Sequence, residues 1–327
     1  MKFFNKEEAL EEINHLGRGD EPFLFVIDYG QNQCLVSLLS DIDSDEVLFS
    51  FPTFSNDDKV FTSREDQVEW NICPESFGDY QRKFDIVQKH LHLGNSFLVN
   101  LTCRIPLQTN LSLKEIYYRS KAPYKLWFRS QLVCFSPETF IQIRNGQISS
   151  FPMKGTIDAT LPNAESILMS DKKEAAEHAT IVDLIRNDIS MVASQVKVQR
   201  YRYIDHLFTN KGEILQSSSV ITGQLEDDYR EHLGNILFSQ LPAGSITGAP
   251  KSKTLEIIRE AEDYDRGFYT GIMGICCKGE MESAVMIRYV EQENNQLFFK
   301  AGGGITACSN CRYEYEEVIQ KAYVPIY

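Results

Sequence analysis

Short apolar runs recur along this chain, and few of them are separated by a segment with helical spacing. Parallel neighbours need a crossover of about a dozen residues, usually a helix, whereas antiparallel neighbours need only a turn. The scarcity of strand–helix–strand alternation therefore points to an α+β architecture with mostly antiparallel sheets and disfavours a doubly wound parallel sheet.

The individual elements follow from local pattern. Lys6 to Leu16 reads as an acidic helix and Phe23 to Ile27 as a short apolar run. Tyr80 to Leu93 carries Phe84, Val87, Leu91 and Leu93 at roughly helical spacing, Gly94 stops it, and Ser96 to Thr102 reads as a strand. Ser112 to Ser120 looks helical. Leu132 to Phe135, Phe140 to Ile143 and Ile148 to Phe151 look like strands, the last two joined by Asn145-Gly146, a hairpin signal. Ser170 to Ala193 is the clearest helix, followed by a strand at Val196 to Tyr203 and a long β-rich stretch. A helix is expected over Pro250 to Glu262, strands over Val285 to Val290 and Leu297 to Lys300, and a final helix over Tyr313 to Ala322. No internal repeat or low-complexity linker offers a place to divide the chain, so residues 1–327 are expected to form one unit.

A net charge of −13 argues against a nucleic-acid groove, which needs clustered Lys and Arg, but allows a small anion or a divalent metal. No window approaches the run of about 20 apolar residues that spans a bilayer, and the N-terminus has no signal-peptide pattern. A cytoplasmic protein is the expectation, with its eight cysteines as free thiols. Cys308 and Cys311 have CxxC spacing, but no second pair or nearby His pair completes a zinc site.

Several residues could carry chemistry. Glu174/Glu177 and Glu314/Glu317 are three apart, so each pair shares a helix face. Facing one another, they would need a cation between them, and Mg²⁺ takes such oxygen ligands. A capping role for Asp171 and a solvated face explain the same spacing, and by spacing alone that structural reading prevails. Lys154, in Phe151-Pro-Met-Lys-Gly-Thr156, is by the same standard a surface charge, a partner of a buried carboxylate, or a nucleophile activated by its surroundings. Glu138 is a turn residue or a general acid beside it. The glycine-rich segments Pro242 to Lys251 and Ala301 to Ile305 offer backbone N–H groups to an anion, although Ala249-Pro250 breaks any P-loop pattern. Arg288, inside Val285 to Val290, needs a paired anion if that strand is buried.

Taken in order, these segments resemble the chorismate-utilising enzymes: anthranilate, aminodeoxychorismate, isochorismate and salicylate synthases. The resemblance runs from about Tyr80 to Ala322 and rests on Glu177-His-Ala-Thr-Ile-Val-Asp-Leu-Ile-Arg-Asn-Asp188, Gly244-Ser-Ile-Thr-Gly-Ala-Pro-Lys251, Arg266-Gly-Phe-Tyr-Thr-Gly271, Ala301-Gly-Gly-Gly-Ile305 and Glu314 to Lys321. It implies large, mostly antiparallel sheets packed as a β-sandwich core with helices outside. Residues 80–322 would be the motif-bearing core, with 1–79 a shortened N-terminal region integrated with it. It further implies a Mg²⁺ held chiefly by Glu177 and Glu317, with Glu174 and Glu314 as outer partners. Tyr269, Arg288 and Lys321 match positions that hold the carboxylates of chorismate, and Gly155, Thr156, Thr247 and Gly303 match the walls.

Lys154 selects the branch within this resemblance. Aminodeoxychorismate synthases typically carry Pro-Ile-Lys-Gly-Thr where this chain has Pro-Met-Lys-Gly-Thr, and anthranilate synthases carry Ala at the lysine. The implied reaction is attack of Lys154 on ring C2 with loss of the C4 hydroxyl, Glu138 acting as acid, then attack of ammonia at C4 with release of the lysine. Leu98 stands where the hydroxylating branch places a water-activating lysine, which disfavours water as nucleophile. Gln216 replaces a common histidine, and Cys311 a proline. No tryptophan-binding motif and no glutaminase nucleophile motif are found, so the resemblance implies a separate glutamine amidotransferase partner, with free ammonia as the other donor. The alternatives are an anthranilate synthase component or an inactive chorismate-binding module.

Overall fold

The structure is a computed structural model that describes residues 2–57, 67–209 and 212–324. Its strands form a ten-stranded and an eight-stranded sheet, and every pairing among the described residues is antiparallel. The two sheets pack face to face. Leu24, Val26, Met273, Ile275 and Ala284 from the first meet Leu126, Phe128, Leu132 and Tyr289 from the second in one buried cluster. The strand Phe23–Ile27 shows why its sequence lacks polar alternation. Leu24 and Val26 face the other sheet, while Phe23, Phe25 and Ile27 face a second cluster shared with helices Lys6–Gly17, Lys172–Ser190 and Leu233–Ser239. Helices Phe77–His92, Leu113–Arg119, Lys251–Ala261 and Cys311–Lys321 cover the outer face of the eight-stranded sheet in the same way. The expected sandwich with helices outside is therefore the observed architecture. Among the described residues no helix is long and apolar enough to cross a membrane, and all eight cysteines are unpaired.

Local chemistry sets the helix ends. Asp171 caps Lys172–Ser190 by accepting from the Glu174 N–H at 3.0 Å, so the helix expected over Ser170–Ala193 runs over Lys172–Ser190 and is separated from a preceding helix, Ala164–Ser170. Asn310 caps the last helix by accepting from the N–H groups of Arg312 and Tyr313. This cap does locally what a proline at Cys311 would otherwise favour. Asn145 and Gly146 both have positive φ, as the tight hairpin between Thr139–Arg144 and Gln147–Ser150 requires.

Two expectations need correction. Val285 to Val290 is not one strand: Glu280–Val285 belongs to the first sheet and Tyr289–Glu293 to the second, and the chain crosses between them at Met286–Arg288 with Arg288 at φ +55°. A second crossing, Pro137–Glu138, joins Leu132–Ser136 to Thr139–Arg144. The two crossings run side by side, because Val285 N–H donates to Glu138 O at 3.1 Å and Phe135 N–H to Arg288 O at 3.0 Å. The glycine-rich segment Ala301–Ile305 likewise extends the strand expected over Leu297 to Lys300. It completes strand Gln296–Ile305 and pairs along Leu98–Thr109, with Gly302 opposite Thr102 and Gly304 opposite Asn100.

Candidate active site

The seam between the sheets, the helix Lys172–Ser190 and the helix Cys311–Lys321 bring the expected residues together. Lys154 lies on strand Met153–Asp158, directly across the ladder from Ser217. Gly155, at φ +70°, makes a bulge there, so that Thr156 pairs with Gln216. A Cβ at Gly155 would lie 3.0 Å from Glu174 Oε2, so glycine makes room for that carboxylate. Lys154 Nζ stands 3.9 Å from Glu177 Oε2. It also lies 3.2 Å from where a Cβ of Gly304 would be, a point that is 3.0 Å from Leu98 Cδ1. The lysine amine thus sits against a bare stretch of backbone and a leucine, with one carboxylate in reach.

The two glutamate pairs come from different helices and converge through lysines. Glu177 and Glu314 are buried, and Lys173 Nζ lies 3.7 Å from Glu177 Oε1 and 3.3 Å from Glu314 Oε1. Lys321 Nζ lies 2.6 Å from Glu317 Oε1 and donates to Gly302 O at 3.1 Å. Gly303 faces the same place, since a Cβ there would be 3.7 Å from Glu314 Oε2 and 3.9 Å from Lys321 Nζ. Burial, together with Glu174 and Glu314, pushes Glu177 above the usual carboxylate range, with Lys154 and Lys173 opposing it. Burial raises Glu174 similarly. Glu317 is exposed, and although partial desolvation raises its carboxyl, Lys321, with Lys154 and Lys173, holds it below that range.

Among the described residues, no three carboxylate, imidazole or thiol groups are drawn together as a closed metal nest. The donor set nevertheless fits a hard divalent cation. Glu177 Oε1 is buried without a hydrogen-bond partner, and a lysine ammonium bridges the Glu177 and Glu314 carboxylates from two separate helices. Lys173, half-exposed, is the positive charge that stands between these two carboxylates.

Glu138 lies at the crossing between the sheets, where Ser245 Oγ–H donates to its Oε1 at 2.7 Å. Burial raises its pKa, against the pull of the Ser245 hydroxyl and the Lys154 and Lys321 charges. It therefore keeps its proton to a higher pH than an ordinary carboxyl, as a general acid requires. Arg288 is only half-buried, correcting its expected place in a buried strand. Its guanidinium donates to the Lys321 carbonyl and lies 4.9 Å from the Tyr323 ring centroid. Thr247 is buried with an unpartnered hydroxyl, and its carbonyl accepts from Asn100 N–H at 2.9 Å. Tyr269 is buried between the sheets, with its ring 5.8 Å from that of Tyr289.

Sequence reasoning missed two contributors. Lys173 could have been found from its i,i+4 spacing to Glu177. Ser245 lay inside a quoted motif, but its contact with Glu138 joins residues 107 apart. His178, hydrogen-bonded to Ser219 at 2.6 Å, is brought down to about 4 by burial and by the Arg202 and Lys154 charges, so it is neutral at physiological pH.

A sequence model of chorismate binding enzymes matches residues 25–326, and the chain belongs to that family. An uncharacterized PabA-like protein of Haemophilus influenzae is 45% identical over 98% of this chain and 97% of its own length. Aminodeoxychorismate synthase component 1 of Salmonella typhimurium is 35% identical over 74% of this chain, which spans only 56% of that protein. The crystal structure of anthranilate synthase component I from Streptococcus pneumoniae is 27% identical with a TM-score of 0.64, covering 77% of this chain and 58% of that one.

Proposed function

We propose that this protein converts chorismate and ammonia to 4-amino-4-deoxychorismate, with Lys154 as covalent nucleophile and Glu138 as general acid. The observation that supports this most is the place of the Lys154 amine. It lies on the bare backbone at Gly304, beside Leu98 and within reach of Glu177, with Glu138 close enough to feel its charge. Attack of the amine on ring C2 forms a C–N bond as the C4–O bond breaks, and Glu138 delivers its proton to the departing hydroxyl. Ammonia then bonds to C4, and the lysine leaves C2 with its electron pair. Dividing one difficult displacement into two is the advantage of covalent catalysis. Leu98 offers no base for activating water.

Arg288 and Lys321 supply cations for the carboxylates of a dianion, and Thr247, with its unpartnered buried hydroxyl, supplies a donor in the wall. Mg²⁺ would be held by Glu177 and Glu317, with Glu174 and Glu314 around it. When bound, it would neutralise substrate charge and orient the ring. A glutamine amidotransferase would supply ammonia, and free ammonium would serve in its absence.

Product analysis after incubation with chorismate, Mg²⁺ and ammonium tests the reading, and aminodeoxychorismate is the expected product. Anthranilate or isochorismate in its place would refute the assignment of branch. Binding of chorismate without turnover would favour an inactive binding module.

Lys173 gives a separate prediction for the metal. Lys173→Met removes the ammonium that bridges Glu177 and Glu314, so calorimetry is expected to show Mg²⁺ binding about 2–10-fold more tightly, the worth of two partly exposed ion pairs. Chelation should lower the melting temperature of the variant more than that of the native protein, because two buried carboxylates lose their neutralising partner. An unchanged Mg²⁺ affinity would show that the lysine does not compete for the cation position.

A further inference from the structure

Against Glu138 lies a small cavity of about 20 Å³ whose other lining residues, apart from Ser245, have no part in the proposed reaction. A site holding one water needs roughly 10–15 Å³ by this measure, so the cavity admits one molecule with a single heavy atom. Its polar lining includes the carboxylates of Glu138 and Asp188, with Gln240 and Ser245, and Ile189 and Ala243 form apolar wall. The wall is braced. Lys251 Nζ lies 2.7 Å from Asp188 Oδ2 and donates to Gln240 O at 2.8 Å, and Gln240 Nε2 donates to Asp188 O at 2.9 Å. Lys251 balances Asp188, and once Glu138 has given up its proton the lining holds one carboxylate in excess, which suits a small species carrying several N–H donors.

Resting on the reading above, we propose that this cavity is the holding site for ammonium, from which the attacking nitrogen reaches C4 past Glu138. Two successive displacements of the same stereochemical type return the incoming group to the face the hydroxyl left. That is the face Glu138 serves as acid, and Glu138 also lines the cavity. The proton count closes. Glu138 gives its proton to the leaving hydroxyl, which departs as water, and becomes a carboxylate. That carboxylate takes a proton from ammonium, and the resulting ammonia bonds to C4 as the Lys154–C2 bond breaks. Glu138 is left protonated for the next turnover, and the sum is exchange of a hydroxyl and an ammonium for water and a protonated amine.

The test varies the volume at Ala243, which is buried and has extended backbone that accommodates valine or glycine. With ammonium chloride as nitrogen source, Ala243→Val is expected to raise KM for ammonium at least 10-fold while KM for chorismate changes less than 2-fold. Ala243→Gly is expected to gain turnover with methylammonium, at least 10-fold above the native protein, because the cavity gains a methyl's space. An unchanged ammonium KM in a folded Ala243→Val variant would overturn the proposal, leaving a water site only. Should that variant fail to fold, absence of any methylammonium gain in Ala243→Gly overturns it alone. A native protein that yields no amino product from ammonium removes the parent reading first, an outcome distinct from both.

Discussion

Lys154→Ala is expected to lower turnover of chorismate with ammonium by at least about 1,000-fold while leaving the fold intact. The two halves of that expectation have separate physical grounds. Lys154 pairs with Ser217 through its backbone, which alanine can maintain, and its side chain is 22% exposed with Glu177 Oε2 at 3.9 Å. Glu177 keeps Lys173 as a partner at 3.7 Å when Lys154 is lost, so its buried carboxylate is not left without a counter-charge. Chemistry, by contrast, loses the proposed nucleophile itself. Lys154→Arg should be comparably inactive, because a guanidinium does not release its proton to become a nucleophile. Intact-mass measurement of the native protein with chorismate and no ammonium should reveal an adduct of chorismate less water, absent from both variants. Retention of more than a tenth of the native rate in Lys154→Ala would end the covalent reading.

The largest effect on stability is expected at Arg266. This fully buried guanidinium donates to both carboxylate oxygens of Glu262, at 2.8 and 2.6 Å, to Ile246 O at 3.0 Å and to Asn100 O at 2.7 Å. Glu262 Oε1 also accepts from the Thr102 N–H at 2.8 Å and its hydroxyl at 2.9 Å. Arg266→Met leaves Glu262 as a buried charge without its counter-ion, and breaking a buried pair from one side costs about 3–5 kcal/mol. For a chain of this length that corresponds to a fall in melting temperature of roughly 5–8 °C. Adding Glu262→Gln to Arg266→Met should recover part of the loss, since the two side chains share one network. A melting temperature within about 1 °C of native in Arg266→Met would show that the network carries little stability. Ile246 and Asn100 flank Thr247 and Ser245, so the same guanidinium also braces the wall that holds Glu138.

Much of the fold was legible because local pattern and tertiary environment agree. Asn145-Gly146 makes its turn whatever surrounds it, and the Lys6 helix carries its own cap at Asn5. Val285 to Val290 was misread because apolarity marks burial but not which sheet buries it. Here the buried run passes from one sheet to the other, and a left-handed residue in its middle leaves no periodic trace. The strand expected over Leu297 to Lys300 stopped short of the glycines of Ala301–Ile305 for a related reason. Their lack of side chains serves the approach of Lys154, Glu314 and Lys321 to a strand, and the sequence does not distinguish that use from a turn.

By itself, the sequence determined the sheet-rich architecture, the family resemblance and the residue types of the site. Apolar spacing and motif order are properties of the chain that no packing alters. Only the tertiary structure decided that Lys173 bridges Glu177 to Glu314, that Ser245 holds Glu138, and that Glu138 and Arg288 ride on paired crossings between the sheets. These are contacts between residues more than a hundred positions apart. Their energy depends on distance and burial, which exist only once the two sheets have closed on each other.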